Sequence, residues 1–378
     1  MYHVKTMNKI SKIGLAELDD RFEISDTMEH EDAILVRSAK LHDYDFPAEL
    51  LCIARAGAGV NNIPLDRAAE AGIVVFNTPG ANANGVKELT IAALLLASRK
   101  ISQGITWVKE QAAAGADVAA VVEKGKAAYV GPEIQGKTLG VVGLGAIGVL
   151  VANAAAALGM QIVGYDPFLS VQHALNLTPG VKVVSTLEEL YGQADYISLH
   201  LPMTPETKGT LNDAAFAAMK DGVRIVNLAR GELVDTEALK AALASGKCAA
   251  YVTDFPNSET AAMEGVVAIP HLGASTPESE DNCAMMAARQ VRDYLDNGNI
   301  VNSVNLPVLS MAWAAKNRVC VLTKGADAAA IVAAVPAVAS ASKTRGEYGY
   351  FLLDTDAQVD TDAIAALPGV LRVRVLHQ

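Results

Sequence analysis

The chain has 378 residues, of which 51% are hydrophobic and 19% charged, and its formal net charge is −11. That length is enough for two or three domains with sizeable cores, and the acidic balance argues against nucleic acid or anionic membrane as a partner. The first residues have no apolar signal core, and no apolar run reaches bilayer length. Four scattered cysteines have no metal-ligand spacing. We therefore expect a cytoplasmic protein without a metal site.

The first hundred residues alternate short apolar, β-branched runs with helical ones. Strand-like runs lie at 33–38, 50–57 and 73–79, and a helix that begins near Pro64 precedes the third run. Such alternation predicts a parallel sheet with crossover helices. An Ala- and Leu-rich helix follows as far as Arg99, and we predict that it belongs to the same domain.

A second series of strands and helices starts at Lys137. It has seven strand-like runs, as expected of a complete dinucleotide-binding domain. The runs are TLGVVG, QIVGYD, VKVVS, YISLHLP, RIVNLA, AAYVTDF and VVAIPH. A long amphipathic helix over 277–297 follows, and we predict that the chain rejoins the first domain there. The sequence thus predicts an α/β fold with two Rossmann-like, doubly wound parallel-sheet domains.

A proline-bearing linker, SVNLPVLSMAW, precedes the last segment of the chain. In that tail, the runs RVCVLTK, VASASK, GYFLLDTD and VLRVRVLH alternate with Ala-rich helical patterns. The order β-α-β-β-α-β fits a ferredoxin-like split unit. We therefore predict a small third domain and expect the chemistry not to need it.

The segment VVGLGAIG ends a predicted strand and opens a predicted helix. In such a loop, Gly143 allows the tight turn, Gly145 lets the backbone approach a pyrophosphate, and Gly148 lets helix and strand pack closely. Asp166 ends the next strand, where its carboxylate can accept hydrogen bonds from ribose hydroxyls. No arginine follows it closely to bind a 2′-phosphate. The loop therefore predicts NAD rather than NADP.

Three polar residues follow strand-like runs of the second series: Arg230, Glu259 and His271. Ligands of parallel sheets bind at the carboxyl ends of the strands, so these side chains could converge on a small acid. An arginine binds a carboxylate through two hydrogen bonds, and a histidine is a base near neutral pH. A carboxylate beside the histidine would orient it and favour its imidazolium form. Each residue alone has an ordinary structural explanation, but together they predict hydride transfer involving a 2-hydroxy acid.

These segments resemble the D-isomer-specific 2-hydroxyacid dehydrogenases over about residues 30–305. The motifs that carry the resemblance are ARAGAGVNNIPLDRAAEAGIVVFNTPGANANGVKEL, GKTLGVVGLGAIG, GYDP, ISLHLPMTPET, VNLARGELVD and PHLGAST. The resemblance implies that Arg230 binds the substrate carboxylate and that His271 is the acid–base group. The family's glutamate falls on Glu259 by spacing, although TDFPNSE lacks the proline that usually follows it.

The resemblance also implies the other residues of the site. Those implied for the cofactor are Thr78, Gly143, Gly145, Ala146, Ile147, Gly148, Asp166, Leu201, Pro202, Leu228, Ala229, Asp254, Gly273 and Ala274. Those implied for the substrate, besides Arg230, are Arg37, Ser38, Arg55, Ala56 and Gly57. The first three of these would bind a phosphate, and the backbone N–H groups of the last two would reach the carboxylate.

The implied activity is NAD-dependent oxidation of 3-phospho-D-glycerate to 3-phosphooxypyruvate, the first step of L-serine biosynthesis, by a homodimer or larger homo-oligomer. A glyoxylate or hydroxypyruvate reductase is an alternative that would need no phosphate site. A corepressor-like regulatory protein that senses NAD is an alternative of another class. We predict a substrate-binding domain over 1–98 and 282–306 and an NAD-binding domain over 99–281.

The tail, residues 316–378, resembles an ACT domain in its strand order and in the segments SKTRGEYGYFLLDTD and ALPGVLRVRVL. ACT domains sense amino acids. The loop after the first strand of the tail reads KGADAAA and lacks the usual Pro-Gly pair. Serine binding, dimerisation and a remnant without function are therefore all open for this domain.

Overall fold

The computed structural model describes residues 1–378. These residues form two compact units: the first joins Met1–Asn82 with Pro277–Gln378, and the second is Ala83–Thr276. None of the helices combines the length and apolar character needed to cross a membrane. Both units contain a parallel sheet, which confirms the predicted α/β class.

The N-terminal stretch of the first unit forms a five-stranded parallel sheet. Its strands are β1 (Tyr2–Met7), β2 (Phe22–Ser25), β3 (Ala33–Val36), β4 (Cys52–Arg55) and β5 (Val74–Phe76), and its helices are α1 (Lys12–Leu15) and α2 (Leu65–Glu70). The order β2-β1-β3-β4-β5 is that of a doubly wound sheet. We did not predict β1 and β2. Each of them buries only one residue, Val4 and Phe22 respectively, so their apolar pattern is weak.

The second unit opens with three helices: α3 (Ala83–Ser98), α4 (Ile101–Ala113) and α5 (Val118–Gly125). Helix α3 packs on the sheet of this unit, whereas we placed it in the first domain with a boundary after residue 98. Its Ala- and Leu-rich sequence predicts a buried helix but does not show which sheet covers it. No residue of α4 or α5 is buried.

All seven predicted strands of the second unit are present. They are β6 (Thr138–Val142), β7 (Gln161–Tyr165), β8 (Lys182–Val183), β9 (Tyr196–Leu199), β10 (Val223–Asn227), β11 (Cys248–Thr253) and β12 (Val266–Ala268). The helices among them are α6 (Ala146–Ala157), α7 (Val171–Leu175), α8 (Leu187–Gln193), α9 (Asp213–Ala218) and α10 (Thr236–Ala244). The strand order β8-β7-β6-β9-β10-β11-β12 is the doubly wound order of dinucleotide-binding domains with one strand added.

The chain returns to the first unit with α11 (Pro277–Asn297), which packs on α1, β3 and β4. The tail that follows has four strands and two helices. They are β13 (Asn317–Lys324), α12 (Ala328–Ala333), β14 (Ala339–Arg345), β15 (Tyr348–Thr355), α13 (Thr361–Ala365) and β16 (Val370–His377). The sheet is antiparallel with the order β14-β15-β13-β16. The predicted order of elements, β-α-β-β-α-β, is confirmed.

The two central strands of the tail sheet, β13 and β15, are buried on both of their faces. One face packs against α12 and α13, and includes Val319, Val321 and Phe351. The other face joins the core of the N-terminal sheet through Cys320, Leu322, Tyr350, Leu352 and Leu376. The tail is therefore part of the first unit. This corrects our expectation of a separate module behind a linker.

Polar contacts hold the tail to the rest of the first unit. Arg318 and Asp354 are both fully buried, and the Nε and Oδ1 atoms of this ion pair are 2.7 Å apart. Arg318 also donates to the carbonyl oxygens of Asn297, Met311 and Ala312. Its guanidinium thus joins the end of α11 to the tail sheet.

Candidate active site

The glycine loop between β6 and α6 has the shape that a dinucleotide needs. Gly143 has a φ of +92°, and a Cβ there would lie 2.6 Å from the carbonyl oxygen of His200. A Cβ on Gly148 would lie 1.9 Å from the carbonyl oxygen of Gly143. By contrast, a Cβ on Gly145 would meet no atom within 4 Å. Packing therefore requires the first and third glycines, whereas the second leaves the backbone open to a ligand.

The start of α6 is suited to phosphate. Gly145 is the N-cap residue, and no side chain caps the helix. The predicted phosphate contacts, Ala146 and Ile147, are the first two residues of the helix. Their N–H groups lie at the positive end of the helix dipole, where anions bind.

Asp166 lies directly after β7 and holds the glycine loop. Its Oδ2 accepts a hydrogen bond from the N–H of Leu144 at 2.9 Å, and its Oδ1 accepts one from the N–H of Phe168 at 2.8 Å. The side chain that follows closely in the chain, Phe168, is 91% exposed and carries no charge. The carboxylate is thus fixed beside the loop, and neither Pro167 nor Phe168, which directly follow it, has a basic side chain for a 2′-phosphate.

Arg230 and His271 both contact the ring of Phe255. The guanidinium carbon of Arg230 is 5.2 Å from the ring centroid, and the imidazole centroid of His271 is 4.3 Å from it. Arg230 is half-buried and His271 is exposed. The structure thus brings together two of the three predicted catalytic side chains around an aromatic residue that we did not predict.

The loop that carries Arg230 is fixed by Asn227, the last residue of β10. The buried Asn227 side chain donates to the carbonyl oxygen of Arg230 at 2.8 Å and accepts from the N–H of Ala229 at 3.1 Å. Arg230 also donates from Nη1 to the carbonyl oxygen of Ala229 at 2.6 Å. Sequence reasoning did not identify Asn227, although an asparagine at a strand end is a common turn residue.

Asp254 places a buried carboxylate in the same region. Its Oδ2 accepts from the N–H of Gly273 at 3.0 Å, whereas its buried Oδ1 has no hydrogen-bond partner. Burial raises the pKa of Asp254, and the Gly273 N–H and the charges of His271 and Arg230 act in the opposite direction. The free Oδ1 fits an amide donor, such as the carboxamide of nicotinamide.

Glu259 does not join this cluster. Its carboxylate is exposed and lies 3.2 Å from Nζ of Lys240 on α10, and no hydrogen bond or ion pair connects it to His271. The Asn257 side chain accepts from the N–H groups of Glu259 and Thr260, which begins a short 3-10 helix. This turn directs the glutamate to Lys240. The predicted Glu259–His271 pair is therefore absent from the structure.

The remaining cofactor candidates of the second unit lie on loops at strand ends. Leu201 packs close to the glycine loop, since a Cβ on Gly143 would lie 3.2 Å from its Cδ2. Pro202 is exposed, Leu228 is buried, and Ala229 and Ala274 are half-buried. No group of three or more His, Cys, Asp or Glu residues is arranged to hold a metal ion.

In the first unit, Arg37, Arg55 and Thr78 lie at the carboxyl ends of β3, β4 and β5. These strands are parallel neighbours, so the three residues share one edge of the sheet. Arg55 donates from Nε to the carbonyl oxygen of Arg37 at 3.0 Å. The structure thus brings together the two predicted phosphate-binding arginines.

The backbone donors predicted beside these arginines are already in use. The N–H of Ala56 donates to the carbonyl oxygen of Val36 at 2.8 Å, and the N–H of Gly57 donates to Oγ1 of Thr78 at 2.8 Å. The N–H of the exposed Ser38 donates to Oδ1 of Asn8 at 3.0 Å. The implied contacts of Ala56 and Gly57 with a substrate carboxylate are therefore not supported, because both backbone N–H groups already donate to other residues of the first unit.

Comparison with known proteins identifies related domains. Residues 91–273 match the family model described as the D-isomer specific 2-hydroxyacid dehydrogenase, NAD binding domain. The chain is 38% identical to D-3-phosphoglycerate dehydrogenase of Rattus norvegicus over 291 residues, which cover 75% of this chain and 52% of that one. It is 36% identical to the enzyme of that name from Bacillus subtilis over 329 residues, covering 82% and 60%. The chain thus spans little more than half the length of these relatives.

Two solved structures are similar over most of this chain. The NAD⁺-bound 3-phosphoglycerate dehydrogenase of Entamoeba histolytica is 27% identical with a TM-score of 0.62, and the match covers 82% of this chain and 99% of that one. The D-mandelate dehydrogenase of Rhodotorula graminis is 26% identical with a TM-score of 0.67 and the same coverage.

Proposed function

We propose that the chain is a D-isomer specific 2-hydroxyacid dehydrogenase that oxidises 3-phospho-D-glycerate to 3-phosphooxypyruvate with NAD, because residues 91–273 match the NAD-binding domain of that family. The observation that carries the proposal is the contact of Arg230 and His271 with one ring, next to the buried carboxylate of Asp254. The glycine loop belongs to the same unit. In this proposal the reaction is the first step of L-serine biosynthesis.

The proposed chemistry divides the work among these side chains. The Arg230 guanidinium binds the substrate carboxylate, and a ring nitrogen of His271 takes the proton of the C2 hydroxyl. Bound NAD would supply the hydride acceptor. The charges of His271 and Arg230 lower the pKa of Asp254 against the larger effect of burial, so the Asp254 carboxylate interacts electrostatically with both side chains. The geometry gives Glu259 no part in this step.

Arg37 and Arg55 are the proposed partners of the phosphate. Both are cationic, and they are joined by the hydrogen bond between Arg55 and the Arg37 backbone. Arginine pairs well with phosphate because its planar fork makes two parallel hydrogen bonds. The relatives from rat and Bacillus, which are named for a phosphorylated substrate, add support.

A substrate panel tests the proposal. We expect turnover of 3-phosphoglycerate with NAD to exceed that of D-glycerate, and NAD to be preferred to NADP. Arg55→Ala should weaken the binding of 3-phosphoglycerate by about 1.5–3 kcal/mol, the contribution of a charged hydrogen bond, and leave the binding of D-glycerate nearly unchanged. Equal activity on the phosphorylated and the plain acid would contradict the proposed substrate.

A reductase of unphosphorylated acids, such as glyoxylate or hydroxypyruvate, is the second candidate. One observation favours it: the carboxylate of Glu280 already lies 2.7 Å from Nη2 of Arg37. A glyoxylate reductase from Paecilomyes thermophila is also among the similar structures, at 28% identity and a TM-score of 0.66. Reduction of glyoxylate with NADH that exceeds phosphoglycerate oxidation would select this alternative.

We also infer that the protein is a homo-oligomer that assembles through α4 and α5. These helices bury no residue, and they expose Ile101, Ile105 and Val108. Single exposed apolar residues are common, but three on one helix suit a second copy of the chain. Light scattering should give a dimer or larger oligomer, and Ile105→Asp should reduce its mass to that of a monomer.

For the tail, we propose an ACT-like fold with a structural rather than a sensing role. The strand order β14-β15-β13-β16 agrees with a split βαβ unit. One face of its sheet is covered by the N-terminal core. Calorimetry with L-serine should show no saturable binding.

A further inference from the structure

One of the two proposed phosphate-binding arginines, Arg37, forms an ion pair with Glu280. Glu280 lies in the first turn of α11, and its Oε1 is 2.7 Å from Nη2 of Arg37. The side chains of Arg37 and Glu280 are 42% and 45% exposed. An ion pair this exposed is weak, so a stronger anion can displace the glutamate at little cost.

The surroundings show that Glu280 faces the same small region as both arginines. Cys283, one turn further along α11, is buried, and burial is the main cause of its raised pKa. The charges of Arg55, Arg37 and Glu280 all act on that thiol. The Glu280 carboxylate contacts Arg37, and the Arg37 carbonyl oxygen accepts from Nε of Arg55, so the three groups lie close together with a net charge of +1 rather than +2.

This net charge discriminates between ligands by the charge of their distal group, which is the group at the end of the substrate away from the carboxylate that Arg230 binds. A phosphate monoester carries about −1.5 to −2 at neutral pH, so it gains attraction when it replaces one carboxylate on Arg37. A ligand carboxylate carries −1, so its exchange with Glu280 gains nothing. A neutral hydroxymethyl group leaves the Arg37–Glu280 pair intact.

We propose that Glu280 is a specificity-determining residue that occupies Arg37 until a dianionic group displaces it. This inference rests on the proposed function, because it concerns the phosphate end of that substrate. Glu280 lowers the affinity for every anionic distal group, and only a dianion overcomes the competition. Every 2-hydroxy acid with an anionic distal group meets the same cost of breaking the Arg37–Glu280 pair, and the stronger attraction of a dianion to Arg37 compensates for it.

The test compares Glu280→Gln with the matched control Glu278→Gln. Glu278 lies in the same first turn of α11 and forms no ion pair, so both variants remove one negative charge but only one frees Arg37. Steady-state kinetics with NAD would use 3-phosphoglycerate, D-malate and D-glycerate, whose distal groups carry about two, one and no negative charges. For Glu280→Gln we expect KM to fall roughly two- to fivefold for the first two substrates, at unchanged kcat and without change for D-glycerate. Glu278→Gln should match the wild type on all three.

Three results would overturn the inference. A higher KM for 3-phosphoglycerate in Glu280→Gln would show that the glutamate positions Arg37 for the substrate. Equal shifts in both variants would show only the effect of net charge. If wild-type enzyme oxidises D-glycerate but not 3-phosphoglycerate, the proposed function itself fails, and the inference fails with it. That pattern differs from the first two, in which 3-phosphoglycerate is turned over.

Discussion

The two compact units are assembled from the chain in opposite ways. The second unit is one continuous stretch, Ala83–Thr276, and its sheet, glycine loop and catalytic candidates all come from that stretch. The first unit joins both ends of the described chain, and its core combines the N-terminal strands with α11 and the tail sheet. A hydrogen bond from Tyr2 to the carbonyl of Leu295 illustrates that range. Local patterns therefore describe the second unit well and the first unit poorly.

The largest expected effect tests whether the tail belongs to the first unit. Asp354→Ala should lower the free energy of unfolding by about 3–5 kcal/mol, because it leaves the buried Arg318 without its carboxylate. Denaturant unfolding followed by circular dichroism measures this loss. Asp356→Ala, at an exposed position nearby, is the control and should change stability by less than about 1 kcal/mol. Similar small effects in both variants would show that the buried ion pair contributes little to the stability of the first unit.

The next effect tests whether the second unit carries the chemistry. His271→Ala should lower kcat at least about a hundredfold, the usual contribution of a positioned acid–base group, while NAD binding is retained. Stopped-flow or steady-state absorbance of NADH measures the loss. His173→Ala, on α7 of the same unit, should leave kcat unchanged. Near-normal turnover without the His271 imidazole would remove that residue from the mechanism.

Asp254→Asn should separate cofactor binding from stability within the second unit. We expect KM for NAD to rise about tenfold, since the amide cannot accept a donor as strongly as the charged Oδ1. Burial raises the pKa of Asp254 above its ordinary value, so the folded state disfavours the charged carboxylate. The charged carboxylate therefore lowers the free energy of unfolding as the pH rises above the pKa that Asp254 has in the unfolded state. The melting temperature at pH 7 should accordingly not fall, and a large fall would show that the carboxylate is structural.

The smallest expected effect concerns Glu259. Glu259→Gln should change kcat/KM by less than about threefold, because an exposed ion pair such as the one with Lys240 contributes at most about 1 kcal/mol. Lys240→Gln should give the same small change. If only the glutamate variant loses activity by a hundredfold, Glu259 reaches His271 during turnover, and the sequence-based assignment was correct.

Glu259 and Phe255 show where prediction of the site from sequence ends. Strand ends and glycine spacing located the loop, Arg230 and His271, because in a parallel sheet chain order determines which loops share an edge. The spacing of the motifs predicted Glu259 as the catalytic glutamate, but it could not show that the turn at Asn257 directs this side chain to Lys240. The ring of Phe255 contacts both Arg230 and His271, yet an aromatic residue after a strand has no distinctive sequence pattern.

The tail shows a pattern that was present in the sequence but incompletely used. Strand β13 is buried along Arg318–Thr323, and the run VCVL within it is apolar at successive positions. A continuous apolar run predicts a strand covered on both faces, whereas a free four-stranded module would alternate. The sequence therefore indicated a second cover for this sheet. It could not identify the cover, because the partner strands lie about 300 residues earlier in the chain.

The shared core of the first unit also determines the order in which the two units can fold during translation. Residues 33–76 hold three strands that are buried in the finished protein except at Arg55, yet Leu376, which belongs to the same core, is translated about 300 residues later. At 5–20 residues per second, that interval lasts roughly 15–60 s. During it the second unit can close its own sheet on the ribosome, while the earlier strands still lack their cover. Nascent-chain chaperones should therefore bind strands β3 to β5 during that interval.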